Sequence, residues 1–207
     1  MNELIRGLYL RKFALVLTAC AVLLCADVVH AQQVDVALGA GILLSTTNLT
    51  ASQAYLPPAE KGGIYPSFGI DRILPSRFGY GAEVAFSYRQ QSYDGFQEYR
   101  PIFYNGNVIF APHFTKRIDA DFMAGVGGER VLFYSPSGFC FFPSGCGTAL
   151  NSNHFLFDLG ADIRYSLWRH FFVRPEARFY HIVNNVEFHS DNVLRVGASI
   201  GYRFGPK

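Results

Sequence analysis

Serine and histidine occur together at two places where they could form a hydrolytic site. His189, Ser190 and Asp191 are consecutive, and Ser152 and His154 are two residues apart. Nucleophilic catalysis needs a serine, a base and an oxyanion-stabilising group that converge on one point. Consecutive strand residues point in alternate directions, so the first set does not converge, whereas Ser152 and His154 can share a face. Neither set has an identifiable oxyanion partner, so we predict that the protein is not an enzyme.

Acid–base or metal chemistry would need further carboxylates and histidines. Asp119 and Asp121 form an acid pair, and His113 has the same inward parity in the alternation described below. We interpret the aspartates as members of an internal ion-pair network and His113 as a lumenal hydrogen-bonding residue. No histidine or second cysteine pair lies at ligand spacing. We therefore expect no metal and no cofactor.

Two cysteines, Cys140 and Cys146, lie outside the N-terminal segment. Such a close pair in an exported chain predicts one disulfide that closes a small ring. Phe139, Phe141 and Phe142 lie in or beside this ring. They form either a preorganised contact surface, or aromatic groups that fold onto a barrel rim or enter the membrane interface. The sequence leaves both possibilities open.

Apolar and polar residues alternate along most of the chain. In residues 194–204 every even position is apolar, and the odd positions hold Arg, Gly or Ser. A period of two places these sets on opposite faces of a β-strand. The pattern predicts eight strands, at roughly residues 34–46, 63–74, 78–92, 100–114, 118–134, 154–167, 171–184 and 192–204.

The polar face of these strands carries charges of both signs. Its charged residues are Asp35, Asp71, Glu83, Arg89, Asp119, Asp121, Asp158, Asp162, Arg164, Arg174, Glu176, Arg178, Arg195 and Arg203. Opposite charges can pair inside a narrow barrel, and an eight-stranded barrel is just wide enough for side chains to fill it. We expect these residues to form a lumenal charge network, with glycines on the same face making room for the arginines.

The predicted connections alternate in length. Residues 75–77, 115–117 and 168–170 form tight turns, whereas 47–62, 93–99, 135–153 and 185–191 are longer. This asymmetry is typical of outer-membrane barrels, whose short turns and termini face the periplasm. The sequence therefore predicts an all-β fold, an eight-stranded antiparallel up-and-down transmembrane β-barrel over residues 32–207.

A soluble barrel of the lipocalin type would turn the apolar face inward, and the period alone does not distinguish the two. Three features favour the membrane: the strict alternation of loop lengths, the scarcity of lysine on the polar face, and aromatic residues near strand ends. Those aromatics are Tyr80, Phe114, Tyr165, Phe171 and Tyr202.

Two local features conflict with the eight-strand pattern. Asn105-Gly106 is a strong hairpin signal, but a turn there would leave arms too short to cross a bilayer, so we predict one continuous strand. Pro175 lies within the seventh strand, where a closed barrel has no edge for it. We expect a bulge or a missing ladder bond at this position.

Residues 1–31 have the pattern of a cleavable signal peptide. Arg6, Arg11 and Lys12 precede an apolar run, and cleavage is predicted between Ala31 and Gln32. An N-terminal membrane anchor is one alternative. Lipoprotein processing at Leu17-Thr18-Ala19-Cys20 is another, although the chain stays apolar after Cys20. The net charge of +2 gives no reason to expect nucleic acid as a partner.

The predicted mature chain resembles the small OmpA/OmpX-type barrels, grouped as outer-membrane β-barrel domain or porin-family proteins. The resemblance lies in the first strand (38–41), in segment 172–178, and in the last strand (196–204). It implies that the aromatic end of the last strand, Tyr202 and Phe204, is recognised by the barrel-assembly machinery. Here Gly205-Pro206-Lys207 follows Phe204, a departure from the family pattern.

These features together predict a monomeric outer-membrane protein without enzymatic activity. We expect an envelope-structural role or surface contact through the long loops, with outer-membrane lipid, the assembly machinery and a surface partner of unknown identity as partners. The alternatives are a minor small-solute channel, a lipid-modifying outer-membrane enzyme, and a soluble lipocalin-like binding barrel.

Overall fold

The computed structural model describes residues 33–45, 60, 62–93, 97–115, 117–141, 145–188 and 190–205. For residues 93, 135–141 and 145–148 it describes the backbone alone. The predicted signal peptide and its cleavage site, Ala31 and Gln32, therefore lie outside the described residues.

The described part of the chain is all-β and contains nine strands. They are β1 (Gln33–Leu44), β2 (Gly62–Ile73), β3 (Phe78–Phe86), β4 (Gln91–Tyr93), β5 (Gln97–Phe110), β6 (Ile118–Phe141), β7 (Gly145–Ser166), β8 (Phe171–Ile182) and β9 (Asn192–Phe204). Each strand pairs antiparallel with its neighbours. Pairing of β1 with β9 and of β3 with β5 closes the sheet, so eight strands form the wall and β4 is added at the edge of β5. The predicted eight-stranded barrel is confirmed.

The alternation places apolar side chains outside and charged side chains inside. Leu159, Ile163 and Ile200 are more than half exposed on the outer surface, whereas Arg164 and Arg195 are fully buried. Such an outer surface suits hydrocarbon, and a closed barrel satisfies the backbone within it. The lipocalin alternative is wrong, because the apolar face points outward. No helix long and apolar enough to cross a membrane occurs among the described residues.

The barrel has two distinct ends. Its turn end carries both ends of the described chain and the three tight turns at residues 75–77, 115–117 and 168–170, and its loop end carries the longer connections. On β6 the outward residues are apolar or glycine as far as Gly128, and the next outward residue is the exposed Arg130. The lipid-facing segment of β6 therefore ends at Gly128.

The structure shows what happens at the two positions that conflict with the strand pattern, Asn105-Gly106 and Pro175. β5 continues unbroken through Asn105-Gly106, with Asn105 opposite Gly127 and Gly106 opposite Val126, as predicted. At Pro175 the register does not shift. The β7–β8 ladder instead has a gap between the pairs Asp162–Glu176 and Tyr165–Val173, which is the missing bond expected for a residue without an N–H.

Two predicted boundaries are wrong. The third strand ends at Phe86 rather than at residue 92, and the short β4 folds back onto β5. The third long connection, expected over 135–153, is largely an extension of β6 and β7, which pair out to Phe141 and Gly145. We call residues 129–141 and 145–154 the ribbon. The glycine, proline and serine residues of this segment suggested a loop, but the pairing of β6 with β7 continues through most of it.

Candidate functional site

The barrel interior contains the predicted charge network. Of the fourteen charged residues expected to face inward, all except Arg89 are buried. They come from seven of the eight wall strands, all but β5, and their side chains meet across the lumen rather than along one strand. These thirteen side chains are buried and carry both signs of charge, so they fill the middle of the barrel with ion pairs. We call them the ionic layer.

Bridging arginines hold this layer together. Arg174 contacts Asp71 at 2.7 Å, Asp162 at 3.4 Å and Glu176 at 3.5 Å. Arg195 Nη2 lies 2.5 Å from Glu83 and 2.8 Å from Glu176. A planar guanidinium can donate hydrogen bonds to several carboxylates at once, and these bonds compensate the desolvation of the buried charges.

Further ion pairs complete the network. Arg178 contacts Asp158 at 2.9 Å and Glu83 at 3.3 Å. Closer to the turn end, Arg164 contacts Asp35 at 2.5 Å and also Asp121. Arg203 contacts Asp119 at 3.3 Å and Asp35 at 3.4 Å. A cross-lumen set of this kind ties together strands that are not neighbours in the wall.

Glycines make the room that these arginines need. A Cβ on Gly160 would lie 2.8 Å from Cδ of Arg178, and one on Gly41 would lie 3.1 Å from Cγ of Arg195. Both distances are too short for carbon atoms in ordinary contact, so the glycines on the polar face have a steric role.

Two residues do not lie where the alternation placed them. Arg89 is exposed, because β3 ends at Phe86 and the chain leaves the wall before reaching it. His113 has a side chain that is 56% exposed at the turn end, although its Nδ1 contacts Asp119 Oδ1 at 2.5 Å. β5 ends at Phe110, so the inward parity no longer applies to His113.

Apolar clusters also fill the interior, beside the ionic layer. Towards the loop end, the rings of Phe103 and Tyr180 stack with centroids 5.1 Å apart. The rest of this cluster is Leu43, Tyr65, Leu156, Ile182 and Val193. Towards the turn end, Ile73, Ile109, Ala111 and Met123 form a second cluster. The interior is therefore filled by side chains over much of its length.

Ser152 and His154 do share the inner face of β7, at the loop end. Ser152 Oγ lies 2.9 Å from His154 Nε2, and Glu187 Oε2 lies 2.9 Å from the same nitrogen. A ring nitrogen carries at most one hydrogen, so Nε2 cannot both donate to Glu187 and accept from Ser152. In a catalytic triad the carboxylate would contact Nδ1 and leave Nε2 to take the serine proton. This contact pattern does not activate the serine.

Two more carboxyls are buried beside this group. Glu60, just before β2, and Glu129, on β6 directly opposite His154, are both 0% exposed. None of their four carboxyl oxygens has a hydrogen-bond partner among the described residues. We call Glu60, Glu129, Ser152, His154 and Glu187 the mouth cluster.

Burial and mutual repulsion disfavour charge on these two carboxyls. Glu129 lies beyond the lipid-facing segment of β6, and desolvation raises its pKa to about 7. Desolvation, followed by the neighbouring Glu129 and Glu187, raises the pKa of Glu60 well above its usual value. At neutral pH these two carboxyls are therefore partly protonated, whereas two exposed carboxyls would both be ionised.

Sequence reasoning missed the three glutamates of the mouth cluster. Glu129 has the same parity as Asp119 and Asp121, so the alternation could have found it. Glu60 and Glu187 lie in connections, where no period specifies a direction. Within the described part of the chain, no group of three or more metal-ligating side chains is placed to hold an ion.

The other predicted hydrolytic set does not converge. His189 lies outside the described residues, Asp191 is exposed, and Ser190 Oγ donates to the carbonyl of Asn192 at 2.9 Å. Ser190 thus serves a local turn before β9 rather than a reaction centre.

The cysteines lie in the ribbon. The backbone register places Cys140 directly opposite Cys146, and Phe139 opposite Gly147. Phe141 is the last residue of β6, and Phe142 lies outside the described residues. Directly opposed residues on antiparallel strands have close Cβ atoms. The disulfide stays a prediction that this backbone register favours.

The aromatic end of β9 lies at the turn end, on the outer surface. The rings of Tyr202 and Phe204 are 4.7 Å apart in a T-shaped contact, and His170 stacks on Tyr202 at 5.4 Å. Phe204 is half exposed. The predicted assembly signal is thus accessible in the folded barrel.

Comparison with known proteins identifies the architecture. No protein-family model and no curated protein sequence matches the chain. Among solved structures, Neisserial surface protein A has a TM-score of 0.59 at 9% identity, with 84% of this chain and 98% of that chain covered. A major outer membrane protein from Thermus thermophilus has a TM-score of 0.59 at 13% identity, with 84% and 100% covered. Ail, the attachment invasion locus protein of Yersinia pestis, has a TM-score of 0.57 at 11% identity, again with 84% and 100% covered. The chain shares the fold of small outer-membrane β-barrels.

Proposed function

We propose that the protein is a monomeric, non-enzymatic barrel of the bacterial outer membrane that makes surface contacts through its loop end. The observation that carries this proposal is the contrast between a filled interior and a projecting ribbon. The ionic layer and the two apolar clusters leave the lumen unsuited to solute passage. The ribbon extends the chain well beyond the lipid-facing segment.

The length of the ribbon supports a contact role. β6 runs from Ile118 to Phe141, and its lipid-facing segment ends at Gly128. Residues 129–141 can therefore reach up to about 40 Å from the membrane at 3.3 Å per residue. With the turn end in the periplasm, as short turns and termini favour, the ribbon points away from the cell.

Outer-membrane lipid and the assembly machinery are the partners this location requires, with Tyr202 and Phe204 as the assembly signal. The surface partner would be a protein that recognises the phenylalanines beside Cys140 and Cys146. A ring closed by a disulfide would lose little entropy on binding. The alternative is that Phe139, Phe141 and Phe142 contact the rim or the outer-leaflet interface.

The triple substitution Phe139→Ser, Phe141→Ser and Phe142→Ser tests this role. The assay is adhesion of intact cells, or capture of a cross-linked partner from them, together with the melting temperature of the barrel. We expect lost binding with an unchanged melting temperature. Val186→Ser, which removes an exposed apolar group from another connection, is the control. Unchanged binding with weaker membrane insertion would refute the contact role.

A lipid-modifying enzyme is the second candidate, because Ser152 lies within hydrogen-bond distance of His154. The shared Nε2 contact with Glu187 argues against it. The lipid composition of cells that produce the Ser152→Ala variant distinguishes an enzyme from a contact protein. We expect a profile identical to that of wild-type cells, and accumulation of an unprocessed lipid would favour the enzyme.

A further inference from the structure

A groove crosses the outer surface of the barrel where small side chains lie in the wall. Phe122 of β6 lies opposite Ala161 of β7, and Ala161 lies opposite Ala177 of β8. Ala177 in turn lies opposite Val196 of β9. Two exposed alanines thus lie side by side between a phenylalanine and a valine, which leaves a depression in the wall. We call this depression the wall groove.

The wall groove is apolar and extends to the turn end of the barrel. Its volume is about 580 Å³, and it is open towards the surrounding membrane. Ligand sites in proteins commonly have volumes of about 300–1,000 Å³. Phe114 and Ile118 line the groove beside the β5–β6 turn, and Ala120, Ile163 and Pro175 line its middle. This face of the wall meets hydrocarbon in a membrane, so an acyl chain is the group that fits the groove.

An arginine lies at the turn end of the wall groove. Arg117 directly precedes Ile118, and its carbonyl accepts a hydrogen bond from the Ser166 N–H at 2.9 Å, which holds this part of the backbone beside β7. The side chain of Arg117 is exposed and makes no ion pair with the described residues. Its guanidinium is therefore available to an anionic group at the end of the groove.

The exposed surface of the turn end is basic as a whole. Each of the three tight turns carries one exposed arginine, and these are Arg77, Arg117 and Arg169. The acidic residues nearest this end are buried inside the barrel, whereas the exposed acids of the described chain, Glu98 and Asp191, lie at the loop end. A surface with one sign of charge attracts the opposite sign, so the turn end favours anions.

Aromatic side chains indicate that the lipid headgroups lie at the level of Arg117. Trp168 in the β7–β8 turn is 73% exposed, and Phe114 after β5 is 66% exposed. Exposed aromatic rings concentrate at the membrane–water interface, level with the headgroups. Arg117 follows Phe114 by three residues in the same short connection, so it lies where lipid phosphates occur. The wall groove begins at this level and runs towards the hydrocarbon.

We propose that the wall groove and Arg117 bind one anionic phospholipid of the inner leaflet. One acyl chain lies over Ala161 and Ala177, and the headgroup phosphate contacts the guanidinium of Arg117. A headgroup with a net negative charge is preferred to a zwitterionic one, whose ammonium group would lie among arginines. The inference rests on the membrane location and on the orientation proposed above, with the turn end in the periplasm, and not on the surface contact through the ribbon.

Native mass spectrometry of the refolded barrel tests the site. Phosphatidylglycerol and phosphatidylethanolamine with the same acyl chains are added in equal amounts, and the lipid that each barrel retains is identified after the detergent is removed. We expect one retained lipid per barrel and about fivefold more phosphatidylglycerol than phosphatidylethanolamine, because one arginine near a lipid surface favours an anionic lipid by about this factor. Equal retention of the two lipids, or retention of neither, would overturn the proposal.

The variant Arg117→Gln removes the charge at the end of the groove. We expect it to retain the two lipids in nearly equal amounts. Arg77→Gln removes an exposed arginine from the β2–β3 turn, away from the groove, and should keep the wild-type preference. An equal loss of preference in both variants would overturn the proposal in favour of a diffuse attraction to the whole turn end. Only barrels whose migration shifts on boiling are compared, so failure to fold in lipid would contradict the membrane location, and lost preference only the site.

The variant Ala161→Leu fills the wall groove without changing the charge. We expect it to retain several-fold less of both lipids, and Ala177→Leu replaces it if it does not fold. Ala82→Leu is the matched control, because Ala82 lines a second apolar depression, of about 360 Å³, that does not extend to a turn. Wild-type retention in the folded Ala161→Leu variant would overturn the proposal. A lipid-free dimer of the wild type that Ala161→Leu dissociates would also overturn it, because the groove would then hold a second copy of the chain.

Discussion

Arg174 on β8 contacts Asp71 on β2 across the barrel interior, with Nη1 2.7 Å from Oδ2. β9 and β1 separate these two strands in the wall, so the ion pair crosses the lumen. The same guanidinium also contacts Asp162 and Glu176. One arginine therefore compensates carboxyls from three strands, and the stability of the barrel should depend on it.

Replacing Arg174 with Met should destabilise the barrel strongly. The variant keeps an unbranched side chain but removes the guanidinium, so three buried carboxyls have less compensation, which costs about 3–5 kcal/mol for a buried network. Urea unfolding in lipid vesicles measures this loss. Arg169→Met, at an exposed turn position, should change stability by less than about 0.5 kcal/mol. A similar, small effect in both variants would show that the ionic layer is not a major source of stability.

The filled lumen should prevent porin-like conductance. We expect planar bilayers with the purified protein to show no large, stable current steps. The double variant Phe103→Ala/Tyr180→Ala opens only the apolar layer at the loop end, so the ionic layer should still block current. Stable steps in the wild type would contradict the filled interior. Steps in the double variant alone would show that the aromatic layer is the barrier.

The cysteine pair should be oxidised in the exported protein. Cys140 lies opposite Cys146 in the backbone register, and a ring of seven residues contributes about 2 kcal/mol to the ribbon. Thiol labelling of the unfolded, unreduced protein should therefore fail. In the Cys140→Ser/Cys146→Ser variant, amides of 137–149 should exchange faster while the barrel melts at the same temperature. Labelling of both thiols without reductant would rule out the disulfide.

The aromatic end of β9 should affect assembly more than stability. Tyr202 and Phe204 contact each other on the outer surface at the turn end. The Tyr202→Ala/Phe204→Ala variant should accumulate in the periplasm in cells, yet refold from urea into detergent as a barrel. Phe78→Ala/Phe110→Ala removes another outward aromatic pair, 5.2 Å apart, and is the matched control. Equal accumulation of both variants in the outer membrane would contradict a role in recognition.

The alternation predicted the wall and most of the interior from sequence. Arg195 and Val196 alternate with the period of a strand, and the structure buries the first and exposes the second. Leu43 has the same inward parity as Asp35, so an apolar layer inside the barrel could also have been inferred. The sequence analysis predicted a polar inner face and did not identify the buried apolar residues that share it.

The loop end was harder to predict, because its structure depends on contacts between distant segments. Glu60 and Glu187 are brought to β6 and β7 by the folding of connections, which have no periodic pattern. The ribbon was missed for a different reason. Gly138, Pro143 and Gly145 suggested a loop, but pairing that begins in the barrel wall continues past Tyr134, with one irregularity, to Phe141.

The electrophoretic mobility of the protein from isolated outer membranes, with and without boiling, shows whether the chain forms a closed transmembrane barrel. A closed eight-stranded barrel resists SDS until it is heated, because backbone hydrogen bonds join all eight strands into a closed ring. We expect unboiled protein in the outer-membrane fraction to migrate as a compact species and to shift on boiling. Protein recovered in the soluble periplasmic fraction, with the same mobility before and after boiling, would contradict a transmembrane barrel.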